Sequence, residues 1–206
     1  MKVLNADFVT SAARADDIPR DDLARIALVG RSNVGKSSLI NALCRAKIAR
    51  TSAAPGKTRL VNFYRVTLEG GAGPGRWSAY LVDLPGYGYA RGGPGAAAEL
   101  AAVSDAYFAD CAAGRSAFTA ATLLLVDSRH PGLAADRDAA AWLKGSGAPF
   151  HLVATKIDKL TRSERVRNLR TLETTFAMPP LPVSAASGEG LEGLWRTIAR
   201  LATSAV

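Results

Sequence analysis

GRSNVGKS at residues 30–37 follows RIALVG (25–30) directly and runs into KSSLINALCRAK (36–47). The apolar run reads as a short buried strand, and Leu39, Ile40 and Leu43 recur at helical spacing, so G-x-x-x-x-G-K-S sits between a strand and a helix. In that setting Gly30 and Gly35 let backbone N–H groups turn inward around phosphates, at a helix N-terminus whose dipole favours anions. Lys36 can reach the β- and γ-phosphates, and the Ser37 hydroxyl can ligate Mg²⁺.

Further along, LVNFYRVTL (60–68) and RWSAYLVDL (76–84) read as two strands joined by the turn GGAGPG. ELAAVSDAYFADCAA (99–113) reads as a helix, ATLLLVDS (121–128) as a buried strand and DRDAAAWLKGSG (136–147) as a helix with a glycine stop. FHLVATK (150–156) and LPVSA (181–185) are strands, TRSERVRNLRTLETTF (161–176) is a helix opened by a Thr161/Glu164 capping box, and GLEGLWRTIARLAT (190–203) is an amphipathic closing helix. Alternating strands and helices imply an α/β domain over 25–206. Its mostly parallel, six-stranded sheet would carry one antiparallel edge strand and helices on both faces. Residues 1–24 read as a polar, irregular lead-in.

The 206 residues are 48% hydrophobic and 21% charged, the balance of a globular protein with a full core. No long apolar run predicts a membrane span or a secretory signal, and Cys44 and Cys111 lack metal spacing, so a reduced, cytoplasmic setting is expected. Lysine and arginine number 26 against 18 acidic residues, a net +8 that favours a polyanionic partner such as RNA, or reflects only an arginine-rich composition. Arg50, Lys57, Arg59 and Arg65 are either merely solvated or suit an RNA face that changes shape with nucleotide state. The run Lys159, Arg162, Arg165, Arg167 and Arg170 fits a solvated helix or an RNA contact equally well. His130 and His151 receive no catalytic role, and Trp77, Trp142 and Trp195 are expected to pack.

Two further motifs select the nucleotide. TKID (155–158) closes a strand, where an open α/β sheet presents its ligand. Asp158 can accept hydrogen bonds from guanine N1–H and the 2-amino group, neither of which adenine offers, while the stem of Lys156 lies along the base. Ser184 and Ala185, after the last strand, can present a backbone N–H to guanine O6. DLPGYGYA (83–90) places Asp83 near Mg²⁺ and the Gly86 N–H at the terminal phosphate. Thr58 in PGKT (55–58) is the candidate second Mg²⁺ ligand, a loop residue that would reach the metal only when γ-phosphate is present. After Gly86 stands Tyr87, where many GTPases carry a water-orienting glutamine, so slow intrinsic hydrolysis is expected. Asn33 either tolerates the turn geometry or lends its side-chain oxygen to a K⁺ ion that replaces the missing group.

Together, GRSNVGKSSLINAL (30–43), ARTSAAPGKTRLVNFY (49–64), LVDLPGYGYA (81–90), LLLVDSRHPG (123–132) and TKIDKLTRSE (155–164) resemble the EngB/YihA (YsxC) ribosome-biogenesis GTP-binding proteins. The resemblance implies a Ras-like, single-domain P-loop GTPase that assists large-ribosomal-subunit assembly and is associated with cell division and septation. It implies phosphate contacts from Gly30, Arg31, Ser32, Asn33, Val34, Gly35, Lys36 and Ser37, and Mg²⁺ held by Ser37 and Thr58. Gly56, Lys57 and Thr58 would form the first switch and Asp83, Leu84, Pro85 and Gly86 the second. Thr155, Lys156, Ile157 and Asp158, with Val183, Ser184 and Ala185, would hold guanine. Lys36, Asn33, Thr58 and Gly86 are the residues expected to carry hydrolysis. GTP and GDP are the implied ligands, and the implied partner is the large-subunit precursor with its rRNA and proteins, without membrane, DNA or an implied oligomer. GGAGPGR (70–76) and the Gly/Ala-rich RGGPGAAAEL (91–100) depart from the pattern. A GTP/GDP-sensing module with negligible hydrolysis, a GTPase acting on another RNA, and a P-loop kinase or ATPase are the competing readings, the last opposed by TKID.

Overall fold

The computed structural model describes residues 1–51, 60–70, 75–87, 102–109 and 119–203. Its strands are β1 (Lys2–Ala12), β2 (Ala24–Gly30), β3 (Val61–Glu69), β4 (Arg76–Asp83), β5 (Thr119–Asp127), β6 (Phe150–Thr155) and β7 (Leu181–Pro182). They are interleaved with α1 (Lys36–Cys44), α2 (102–109), α3 (Ala134–Gly145), α4 (Arg162–Phe176) and α5 (Leu191–Thr203). The order in the sheet is β1-β3-β4-β2-β5-β6-β7. β2 lies parallel to both β4 and β5, while β3 opposes its neighbours β1 and β4.

The sheet thus has seven strands rather than six, and the lead-in supplies the seventh. β1 pairs antiparallel with β3 from Lys2↔Glu69 to Ala12↔Val61, with register shifts between Val3 and Asn5 and between Phe8 and Thr10. Those irregularities break the two-residue alternation by which an edge strand would be recognised, and bulges of this kind also protect an edge from pairing with another chain. Phe8 remains half-exposed and meets the Tyr64 ring edge-on, with centroids 5.8 Å apart.

Helices cover both faces because the central strands are apolar on both. In β2, Ala27 and Val29 enter one core with Leu124 and Val126 of β5, under Tyr107 and Phe108 of α2, Leu143 of α3 and Leu172 and Phe176 of α4. Ile26 and Leu28 point the other way, joining Leu123 and Leu125 against Leu39, Ile40 and Leu43 of α1 and Leu194, Trp195 and Ile198 of α5. The tryptophans pack as expected. Trp195 Nε1–H donates to Leu43 O at 3.1 Å, Trp142 Nε1–H to Asp105 at 2.9 Å, and Trp77 Nε1–H to Gly70 O at 3.0 Å. Cys44 is buried, and burial pushes its thiol up to about 12. Cys111 lies outside the described residues.

The capping box of α4 forms as read, with Thr161 Oγ1 accepting from Glu164 N and the Glu164 carboxylate accepting from Thr161 N. On the buried side of that helix, Asn168 Nδ2 donates to Ser128 O at 2.9 Å, fixing α4 to the end of β5. Replacing Asn168 with alanine leaves that carbonyl without its donor, so Asn168→Ala is expected to cost about 1–3 kcal/mol. A lower urea midpoint at an unchanged m value is the signature to measure.

Candidate functional site

The phosphate loop leaves β2 at Gly30 and enters α1 at Lys36. Two residues bend it through the left-handed region, Asn33 at φ 63° and Gly35 at φ 111°. Asparagine tolerates that geometry, and glycine at the helix N-cap meets it without strain. The Lys36 side chain is buried and lies back along the loop, donating to Gly30 O at 2.9 Å and Arg31 O at 3.4 Å. Burial pushes its ammonium below the usual lysine range, against the pull of Asp83.

At the start of α1, Ser37 Oγ donates to Asp83 Oδ2 at 3.1 Å. Asp83 ends β4 and is buried; desolvation raises its carboxyl, with Lys36 and the Ser37 bond acting in the opposite sense. Its second oxygen, Oδ1, is buried without a hydrogen-bond partner among the described residues. A neutral hydroxyl and an unsatisfied carboxylate oxygen are hard donors of the kind Mg²⁺ takes, so the residues present fit that ion.

The end expected from TKID to read the base is built on β6 and the turn after β7. The Asp158 carboxylate accepts from Ser184 Oγ at 2.6 Å, and that bond holds it below the usual carboxylate range. Ser184 is itself buried, its oxygen accepting from Ala186 N and Ser187 N. Between Asp158 and the phosphate loop lies a cavity of ≈ 330 Å³, lined among others by Val34, Gly35, Thr155, Lys156, Asp158 and Ala185.

Thr155 and Lys156 join the two ends. Thr155 Oγ1 donates to Val34 O at 2.9 Å and lies 3.1 Å from Val126 O. Lys156, in the left-handed region at φ 61°, donates from Nζ to Asn33 O at 2.6 Å and to Asp127 Oδ2 at 2.9 Å. Burial resists ionisation of Asp127, but bonds from Arg129 and Lys156 outweigh it and hold the carboxyl at about 2. Sequence reasoning assigned Asp127 no role, although an acid closing an apolar strand next to the strand that ends in TKID was the available signal.

The third side of the cleft is DLPGY. A Cβ on Gly86 would stand 2.8 Å from Ser32 N, so only glycine lets this strand end approach the phosphate loop so closely. Ser32 N–H donates to Tyr87 O at 3.1 Å. The Tyr87 side chain packs on the core beside α3 and its hydroxyl donates to Asp136 Oδ1 at 3.0 Å. Arg31 Nε reaches the same oxygen at 3.0 Å. Asp136 is fully buried; desolvation raises its carboxyl, opposed by Arg31 and the Tyr87 bond. No periodic or motif signal marked Asp136.

Several residues read as nucleotide contacts turn their side chains elsewhere. Leu84, Ile157 and Val183 are buried in the apolar interior, and Arg31 reaches Asp136, so the backbone is what these positions can offer a nucleotide. Pro85 lines a different cavity of ≈ 380 Å³ beside Trp142. Gly56, Lys57, Thr58 and Arg59 lie outside the described residues, as do most of 70–76 and all of 91–100.

The family described as 50S ribosome-binding GTPase matches residues 25–156. A probable GTP-binding protein EngB from Solibacter usitatus is 43% identical over 199 residues, 96% of each chain. Another, from Geobacter sulfurreducens, is 40% identical over 202 residues, 96% of this chain and 91% of its own. Among solved structures, an Era variant from Aquifex aeolicus bound to GDP·AlF4⁻ superposes with a TM-score of 0.72 at 20% identity, covering 88% of this chain and 57% of that one. A crystal structure of a probable GTP-binding protein engB gives 0.62 at 22% identity, covering 88% and 99%. At such identities the structural likeness speaks for the P-loop GTPase fold.

An Asp158→Asn substitution exchanges an acceptor for a donor while keeping size. GTP affinity is expected to fall by about 1.5–3 kcal/mol, about ten- to a hundredfold, with a matching gain for XTP. Titration with the two nucleotides measures this, and unchanged GTP binding with no XTP binding would remove Asp158 from base recognition.

Proposed function

This chain belongs to the EngB family of GTP-binding proteins and is a GTPase of the ribosome-binding type, and from that premise we propose that it is a slow, Mg²⁺-dependent switch acting on the precursor of the large ribosomal subunit in the cytoplasm, associated with normal cell division and septation. The observation that carries the switch reading is the joining of both ends of one cleft. The residues of TKID hold the carbonyls of the phosphate loop, so base recognition and phosphate geometry are one construction. In support of an RNA-bearing partner stand the net charge of +8 and the likeness in fold to Era, solved with MgGDPNP and a segment of 16S ribosomal RNA.

In the proposed reaction Gly30 to Ser37 wrap the phosphates, Lys36 leaves its loop carbonyls for the β- and γ-phosphates, and Asp158 reads guanine with Ser184 and Ala185 alongside. Ser37 and Thr58 would hold Mg²⁺, with Asp83 beside it; the ion supplies charge neutralisation at the β- and γ-oxygens. Water attacks the γ-phosphorus, the bond to the β–γ bridging oxygen breaks, and GDP leaves with the electron pair. Gly86 would direct its N–H at the γ-phosphate. Tyr87 gives its hydroxyl to Asp136, so it is not available to orient the water. Asn33 is proposed to supply a neutral oxygen ligand to K⁺, which would offset charge developing at the bridge.

That engagement of Tyr87 also favours a second reading, in which hydrolysis is negligible and the protein reports the ratio of GTP to GDP. Single-turnover hydrolysis with and without ribosomal particles separates the two. Turnover in KCl is expected to exceed turnover in NaCl at equal ionic strength by about tenfold, equivalent to 1.4 kcal/mol of barrier. Asn33→Ala should abolish the difference, and equal rates in the two salts would refute the K⁺ assignment. For the partner, protein loaded with a non-hydrolysable GTP analogue should co-sediment with large-subunit particles and be released by GDP. Sedimentation in neither state would overturn the ribosomal reading.

A further inference from the structure

The basic run of α4, ambiguous as a sequence, is divided by the fold. Lys159 pairs with Asp158 at 3.5 Å, and Arg165 turns to Glu189. Arg162, Arg167 and Arg170 do not follow them. All three are exposed, and among the described residues none has a carboxylate within 4.0 Å. Arg167 donates from Nε to the neighbouring Asn168 at 3.4 Å and helps hold the Glu164 carboxyl below its usual range without pairing with it.

These arginines share their face with Ser163, Val166, Thr171 and Thr174, all exposed, and Val166 is 67% exposed despite being apolar. Positions 163, 166, 167, 170, 171 and 174 repeat every three or four residues, which is one side of a helix. From 162 to 174 that side runs about 18 Å along the axis. Two acidic residues accompany it around the helix axis, Glu164 beside Thr171 and Arg167, occupied by the helix cap, and Glu173 between Arg162 and Val166.

The threonines sharpen the chemistry. Thr171 Oγ1 donates its proton to Arg167 O and Thr174 Oγ1 to Arg170 O, each at 3.0 Å. What they retain toward solvent is acceptor capacity. A phosphate, itself an acceptor, gains nothing from them; a ribose 2′-hydroxyl does, and that group distinguishes RNA from DNA. Arginines for phosphates, acceptors for 2′-hydroxyls and one apolar side chain between them are complementary to a ribose-phosphate strand.

The face is also rigid. Thr161 and Glu164 cap the helix, Leu172 and Phe176 are buried beneath it, and Asn168 ties it to Ser128, next to the Asp127 that holds Lys156. It is anchored to the base-reading side of the molecule and contains none of the residues assigned to the switches.

We infer that the outer face of α4, through Arg162, Arg167 and Arg170 with Thr171 and Thr174, docks an RNA backbone, and that it does so equally in the GTP and GDP states. The inference rests on the ribosomal reading above and adds a standing contact to the nucleotide-dependent one.

The test compares wild-type protein with the triple variant Arg162→Gln, Arg167→Gln, Arg170→Gln, glutamine being a good helix former. The probe is protein-free large-subunit rRNA, titrated at several KCl concentrations with GDP or a non-hydrolysable GTP analogue; intact large-subunit particles form a parallel series. The triple variant should bind rRNA at least tenfold more weakly. Its slope of log K against log salt should be shallower by about 2–3, since each neutralised phosphate contributes about 0.7–0.9. The loss should be the same with either nucleotide, while GTP affinity and the urea midpoint stay at wild-type values. Arg165→Gln, on the Glu189 side, should leave rRNA binding intact. Thr171→Val with Thr174→Val should lower affinity for RNA relative to single-stranded DNA of the same sequence.

If wild type binds and the triple variant keeps both affinity and slope, the α4 assignment is wrong and the ribosomal reading stands. Loss of particle binding with rRNA binding unchanged would mean an acidic protein is the occupant, which overturns the RNA assignment. Failure of wild type to bind rRNA or particles in any state would overturn the ribosomal reading together with this one.

Discussion

Two carbonyl oxygens of the phosphate loop, Asn33 O and Val34 O, take their direction from Lys156 and Thr155 of TKID. A peptide unit is planar and trans, so fixing a carbonyl fixes the N–H that follows it on the opposite side. Holding Val34 O toward Thr155 therefore aims Gly35 N–H away from it, at the mouth of α1 where the dipole already favours an anion. The left-handed turns at Asn33 and Gly35 bring those carbonyls within reach. Thr155 must be buried at the end of β6 to make its bond, which requires β5 and β6 in register and Val126 O alongside. The sheet is thus the frame that holds two short loops at a fixed separation.

Around that frame the molecule buries charge. Lys36, Asp83 and Asp136 are all withdrawn from water, and desolvation moves each toward its neutral form. Isolated burial of this kind costs several kcal/mol per ion unless paired. Here the pairing is incomplete, since Asp83 Oδ1 and Asp136 Oδ2 are buried without hydrogen-bond partners among the described residues. At Asp83 the Ser37 hydroxyl satisfies Oδ2, and Oδ1 is left for the divalent ion proposed above. At Asp136 the same kind of carboxylate gathers Arg31 from the phosphate loop and Tyr87 from the DLPGY strand end. The position that follows Gly86 thus serves as an anchor to α3, which is the physical meaning of a tyrosine there.

Much of the candidate site could be marked from the residues because each motif carries a local geometric demand. A glycine-rich turn between an apolar strand and a helix, an aspartate ending a strand three residues before a glycine, and T-K-x-D at another strand end each carry their own geometric requirement. The Thr161/Glu164 cap was readable for the same reason, its two bonds spanning three residues. β1 was not, because a polar edge strand with two register shifts has no period to detect and is defined by the ladder on β3. Asp127 and Asp136 were not assigned either: Arg129 stands only two residues from Asp127, but the partners that tie these acids to the phosphate loop and TKID, Arg31 and Lys156, lie 105 and 29 residues away.

The sequence by itself therefore determined the α/β class and the order of the central elements, and marked the loops proposed to meet phosphate and guanine, since these follow from contacts between near neighbours in the chain. Only the tertiary structure decided how those loops are fixed to one another, where Tyr87 is turned, and which arginines of α4 are spent on carboxylates and which remain outward. Those outcomes depend on burial and on partners brought together by the sheet, and a helix wheel cannot tell Arg165 from Arg167 until Glu189 has been folded against one of them.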